Sequence, residues 1–263
     1  MYQEELHAVI DACKKAEKFI LEVWGEKPDE QCLEFKEDES PVTKADKQTD
    51  KFLRETLVKK FPEIGFLTEE SQDTHERLHQ KAIWIIDPLD GTSDFISHGD
   101  GFATNVALCV DHQIVMGVVN CPVRHTTYYA IRGEGAYVLK DGESKRIHVS
   151  DRAKGKLKAM RSNTHFNENE RKFLLEHRDY FDGEATPIGA AIKFCLLADG
   201  SYDYFIRLSG GTKEWDTAAG QLIVEEAGGA MVDGLGNPIA YNREDVYNRN
   251  GYIMANKKEN LLL

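Results

Sequence analysis

Trp84-Ile85-Ile86-Asp87-Pro88-Leu89-Asp90-Gly91-Thr92 carries an apolar run onto two aspartates three positions apart. From Ala82 to Ile86 the run is continuous rather than alternating, which predicts a strand buried on both faces and ending at Asp87. Open α/β sheets hold ligands at the carboxyl ends of their strands. Pro88 removes a backbone donor and stiffens the turn, so Asp87, Asp90 and the intervening Leu89 carbonyl can face one small volume. Hard oxygen donors of that kind suit Mg²⁺ rather than zinc or copper. Gly91 permits a sharp turn, and a helix opening at Thr92–Asp94 would offer free amide groups to a phosphate. Taken alone, the stretch reads equally as an ordinary Asp-Gly turn with aspartate as a helix cap.

Upstream, residues 4–24 set Leu6, Val9, Ile10, Cys13, Phe19, Ile20, Val23 and Trp24 mostly on one helical stripe, ended by Gly25 and Pro28. A second helix is predicted over Lys44–Lys60, opening near Thr43, and a short strand over Ile64–Thr68 that delivers Glu69-Glu70. Downstream, strands are predicted over Phe102–Val110, Gln113–Asn120, Thr127–Ile131 and Ala136–Leu139. Past residue 150 helix and strand alternate: helices over Glu168–His177, Ala190–Ala198 and Trp215–Ala227, strands over Tyr202–Arg207 and Tyr252–Asn256. The pattern is an α+β lobe over residues 1–150 followed by an α/β lobe over 151–263.

A net charge of −12 disfavours nucleic-acid polymers and anionic membranes as partners. Bound cations reconcile an acidic chain with an anionic substrate. No stretch has the apolar length of a membrane span, and no basic segment precedes an apolar one at the N-terminus, so the expectation is a cytoplasmic protein. The five cysteines form no CxxC pair, and Cys109 and Cys195 lie in apolar runs, which reads as buried free thiols.

Glu69-Glu70 at one strand end, Asp87 and Asp90 at another, and Asp216 opening a helix make three acidic stations around one core. Adjacent carboxylates are costly without a counter-ion, so a two-metal centre explains them better than three unrelated caps. Trp84–Thr92 and Trp215-Asp216-Thr217-Ala218-Ala219-Gly220 resemble the two signatures of the inositol monophosphatase superfamily, lithium-sensitive and magnesium-dependent phosphatases. The resemblance implies a layered αβαβα sandwich and two or three Mg²⁺ ions. It implies metal ligands at Glu69, Asp87, the Leu89 carbonyl, Asp90 and Asp216, and a phosphate-binding turn at Gly91, Thr92 and Ser93. It also implies that Asp46 and Thr92 orient the attacking water, with Glu69 at the catalytic centre, and that Glu70 and Asp46 stand behind the metals or on a third one. Relatives suggest a monomer or a homodimer.

Other segments bear on the substrate. Asp38-Glu39-Ser40-Pro41-Val42-Thr43-Lys44-Ala45-Asp46 is similar to the D-x-S-P-V-T-x-A-D segment of the CysQ-type 3′(2′),5′-bisphosphate nucleotidases. Ile192-Lys193-Phe194-Cys195-Leu196 resembles that branch's L-K-F-C-L helix, and Tyr204 through Asp216, with Arg207, resembles its last stretch. Lys193 and Arg207 then read as contacts for a second phosphate, or else as a snorkelling lysine and an internal ion pair. Ser209 stands where inositol phosphatases carry a glutamate for a sugar hydroxyl, whereas Gly189-Ala190-Ala191 and Gly211 depart from the nucleotidase pattern. Arg161-Ser162-Asn163-Thr164-His165 is a further candidate for the pocket wall. The expected reaction is hydrolysis of adenosine 3′,5′-bisphosphate to AMP and phosphate. The alternatives are an inositol phosphate or another small phosphomonoester such as histidinol phosphate, and, from another class, a non-catalytic regulator that binds metal and nucleotide.

Overall fold

The computed structural model describes residues 1–26, 31, 33–35 and 41–263. Pro28, Cys32, Asp38, Glu39 and Ser40, which entered the sequence reading, lie outside the described residues. In chain order the elements are α1 (Gln3–Trp24), β1 (Glu34–Phe35), β2 (Pro41–Val42), α2 (Lys44–Lys60), β3 (Gly65–Thr68), β4 (Ala82–Asp90), α3 (Thr92–Ile96), β5 (Ala103–Val110) and β6 (Gln113–Cys121). They continue with β7 (Thr126–Ile131), β8 (Gly135–Lys140), β9 (Glu143–Ile147), β10 (Ala159–Ser162), α4 (Glu168–Glu176), β11 (Thr186–Ile188), α5 (Ile192–Ala198), β12 (Tyr204–Arg207), α6 (Glu214–Glu226), β13 (Ala230–Asp233) and β14 (Tyr252–Ala255).

Strands β3 to β9 form one sheet in sequence order, antiparallel throughout except for the parallel β3–β4 pair. A second, mixed sheet runs β11-β10-β12-β14-β13. The continuous apolar run of β4 is explained by what covers it. Trp84 and Ile86 pack against α1 and α2 through Leu6, Val9, Leu53 and Leu57. Ile83 and Ile85 face the opposite core, with Phe194, Ala218, Ala219 and Leu222 of α5 and α6. Beyond α5 and α6 lies the second sheet, whose outer face meets Phe173 and Leu174 of α4. This is the αβαβα sandwich, with both sheets covered on both faces. Gly117 of β6 lets α6 approach, since a Cβ there would stand 2.7 Å from the Ala219 carbonyl oxygen.

Two expectations need correction. Strand β4 does not end at Asp87 but continues to Asp90, with a register shift in its pairing to β5. Residues 143–147, over which the sequence pattern predicts no element, form strand β9, four of its five positions exposed. Edge strands of that kind carry charge instead of alternation, which removes the signal on which strand reading depends. Cys13, Cys109, Cys121 and Cys195 are buried free thiols, and burial pushes the Cys13 thiol up to about 12.

Candidate active site

The register shift builds the site. Side chains three apart on a regular strand point to opposite faces. Here Asp87 pairs with Asn105 and Asp90 with Ala103, so β4 spends one more residue than β5 across this interval. Such a bulge resets the alternation, and it falls between Asp87 and Asp90, an interval that holds Pro88, which has no amide hydrogen to give the ladder. Asp87 and Asp90 consequently share one side of the sheet, the side that α6 covers. Asp216, in the first turn of α6, completes the group: one carboxylate oxygen from each of the three lies within 4.8 Å of the other two.

Neighbours hold each member. Asp87 accepts from the Leu89 amide at 3.1 Å, and Asp90 from the Asn105 side chain at 3.1 Å. Asp216 accepts from the Lys213 amide at 2.5 Å, closing the first turn of α6. One residue before Trp215, Glu214 is fully buried and anchors that turn. It accepts from the amides of Asn242 at 2.7 Å and Arg243 at 2.8 Å, and from Arg243 Nε at 3.1 Å. Asn105 and Glu214 were missed in the sequence. Asn105 left a signal, being a lone amide inside an apolar strand.

Helix α2 contributes Asp46. Its Oδ2 accepts from the Thr43 amide at 2.8 Å and the Thr43 hydroxyl at 2.6 Å, so it caps its own helix. Its other oxygen accepts from the Thr92 hydroxyl at 3.1 Å, and that hydroxyl also lies 3.2 Å from the Leu89 carbonyl. Burial pushes the Asp46 carboxyl up to about 6; its hydrogen bonds with Thr43 and Thr92 oppose this, and the Glu69 charge adds to it. Gly91 takes the left-handed conformation at φ 92° and sits against the Gly101 carbonyl, where a Cβ would come within 2.5 Å.

A cavity of about 510 Å³ joins these groups, within the ordinary range of small-ligand sites. Glu69, Asp87, Leu89, Asp90, Gly91, Thr92, Ser93 and Asp216 line it together with Lys193, Arg207, His165, Gly211 and Thr212. Asp46 and Glu70 stand outside the lining, Asp46 joined to it through Thr92. Ser162, Thr164 and His165 of the Arg161–His165 segment reach the cavity, while Asn163 donates to Asp94 at 2.8 Å.

The electrostatics are one-sided. Burial raises the Asp87 carboxyl well above the aspartate range, and Glu69, Asp90, Asp216 and Asp46 push it further. Burial also raises Asp216, to about 7, with Asp90 and Glu69 adding to it. Burial lowers the Lys193 ammonium, against the pull of Asp90 and Asp216. A donor set of oxygens alone, crowded until its members repel one another, fits a hard divalent cation. The Arg207 guanidinium has no carboxylate partner among the described residues. It donates to the His165 carbonyl at 3.0 Å, and its Nε is buried without a hydrogen-bond partner. Lys193 donates to the Ala190 carbonyl and lies over the rings of Phe194 and Phe205, so it is held inside rather than snorkelling outward.

Comparison with known proteins follows the same lines. The profile of the inositol monophosphatase family matches residues 1–262. The chain is 37% identical over 227 residues to the 3′(2′),5′-bisphosphate nucleotidase CysQ of Aggregatibacter actinomycetemcomitans, covering 85% of this chain and 83% of that one. The structure of CysQ from Bacteroides thetaiotaomicron superposes with a TM-score of 0.79 at 30% identity, covering 98% and 99% of the two chains. The extragenic suppressor protein SuhB of Bartonella henselae gives 0.81 at 27% identity, covering 97% and 95%. Among the described residues, no helix is long and apolar enough to cross a membrane.

Proposed function

The chain belongs to the inositol monophosphatase family, and we propose that within it this protein is a 3′(2′),5′-bisphosphate nucleotidase, hydrolysing adenosine 3′,5′-bisphosphate to AMP and phosphate. The observation that carries the choice of substrate is one cavity holding both an acidic cluster and the cationic side chains of Lys193, Arg207 and Lys213, without a carboxylate paired to Arg207 among the described residues. A substrate with two phosphates answers to both parts. An inositol monophosphate would leave Arg207 unmatched. The 3′-phosphate of phosphoadenylyl sulfate presents the same chemistry, and we include it as a second substrate.

Glu69, Asp87, Asp90, Asp216 and the Leu89 carbonyl would hold two or three magnesium ions, which supply positive charge against the ester and acidify water. The remaining roles belong to the chain. Asp46 draws on the Thr92 hydroxyl, so that Thr92 Oγ1 can accept the proton of a water aligned on the phosphorus and pass its own to Asp46. With its carboxyl held at about 6, Asp46 is ionised at neutral pH yet still basic enough to take that proton. Gly91, Thr92 and Ser93 turn the backbone toward the phosphate, while Arg207 and Lys193 grip the second phosphate and fix the nucleotide's orientation.

The test is a comparison of substrates with purified protein and Mg²⁺. Phosphate release from adenosine 3′,5′-bisphosphate should exceed that from inositol 1-phosphate by at least about 100-fold in kcat/KM. Equal or reversed rates would overturn the assignment. Millimolar Li⁺ should inhibit.

A further inference from the structure

Helix α2 carries a second buried aspartate one turn beyond Asp46. Residues four apart share a helix face, so Asp46 and Asp50 point toward the same region of the core. Asp50 is 3% exposed. One of its oxygens accepts from the Thr68 hydroxyl at 2.6 Å; the other accepts from the Ser71 hydroxyl at 2.9 Å and from Arg54 Nε at 2.9 Å. Thr68 ends strand β3, and Ser71 lies past the turn that follows it. A single carboxylate therefore staples both ends of the Thr68-Glu69-Glu70-Ser71 turn.

That turn divides two cavities. Glu69 lines the one that holds Asp87, Asp90 and Asp216; Thr68 and Ser71 line another, of about 320 Å³, together with Arg54. On the strand side, Glu69 is fixed by its amide, which donates to the Ile86 carbonyl at 3.2 Å. On the far side the sheet ladder has ended, and the Ser71–Asp50 bond takes over.

We propose that Asp50 is a positioning residue for Glu69, holding its carboxylate at the acidic cluster and thereby setting the affinity of the site for magnesium. The proposal rests on the metal site put forward above. Groups that orient a metal's ligands typically change its affinity about 10- to 100-fold when removed. The Asp50→Ala variant should raise the Mg²⁺ dissociation constant, measured by calorimetry without substrate, by about tenfold or more, and the Mg²⁺ half-saturation of phosphate release in step, while kcat at saturating Mg²⁺ falls less than about threefold. Asp50→Asn, which still accepts from one hydroxyl, should give a smaller rise. So should Ser71→Ala, which serves if the alanine variant does not fold. Met116→Ala is the control for general destabilisation. It opens a cavity in β6, three strands from β3, and should lower the melting temperature with no change in Mg²⁺ affinity. If the Asp50 and Ser71 variants lose thermal stability but bind Mg²⁺ as the wild type does, the positioning role is refuted. A wild type that binds no Mg²⁺ would instead overturn the metal site and the proposal together.

Discussion

Magnesium removal and Asp216→Asn should shift stability in opposite directions, with a magnitude set by the crowding of the site. In the metal-free folded chain Asp216 titrates at about 7 instead of the ordinary 3.8; burial is the main cause, and Asp90 and Glu69 add to it. A carboxyl raised in the folded state contributes stability that is full below its unfolded pKa and is lost as the pH climbs through the folded one. For Asp216 the loss runs from about pH 4 to pH 7. Roughly three pH units at 1.36 kcal/mol each give about 4 kcal/mol as an upper bound. Water at the partly exposed edge of Asp216 and proton sharing with its neighbours bring this nearer ~2 kcal/mol.

Asparagine removes the charge and keeps an oxygen for the Lys213 amide. At roughly 2–4 °C per kcal/mol for a chain of this size, Asp216→Asn in EDTA at pH 8 should melt about 4–8 °C above wild type. At pH 5, where the folded wild type is largely protonated at this site, less than about half of that difference should remain. Adding 10 mM Mg²⁺ at pH 8 should stabilise wild type and leave the variant almost unmoved. Scanning calorimetry over the four combinations of pH and metal reads all of this. A variant no more stable than wild type in EDTA at pH 8, or one that gains as much from Mg²⁺, would refute the argument that these carboxylates crowd one cation site.

Three further outcomes follow from the same geometry. Asp90→Asn should retain the wild-type circular dichroism spectrum but lose about 10³-fold in kcat, since several kcal/mol of charge stabilisation depends on that ligand; near wild-type turnover would exclude it from the site. Arg207→Met should raise KM for adenosine 3′,5′-bisphosphate by about 10- to 100-fold, the worth of one charge-assisted contact, with little change for a substrate bearing a single phosphate, as steady-state kinetics on both would show. Glu214→Ala leaves Arg243 Nε and the amides of Asn242 and Arg243 without their acceptor, and should cost about 3–5 kcal/mol, read from urea unfolding.

Much of this chain can be read without coordinates because its signals are local. The closely spaced strands β5 to β8, the Thr43–Asp46 cap and the apolar run ending at Asp87 each lie within a few residues, and the helix over Lys44–Lys60 has the bounds they imply. Local signals also mark acidic stations at element ends. They allow Asp87 and Asp90 to face one volume across the Pro88 turn but do not fix it, because by alternation alone residues three apart point to opposite sides. The bulge against β5 decides that, and it exists only as a relation between two strands. The same holds for Asn105 beneath Asp90, for Asp50 stapling a turn eighteen positions away, and for Glu214 anchored by residues 28 and 29 positions further on. Residue types and their order along the chain determine which chemistry is available. Whether those groups meet, how strongly they repel and which cation is left without a carboxylate depend on packing across the sheets, where hydrogen bonds and charges act between residues far apart in sequence.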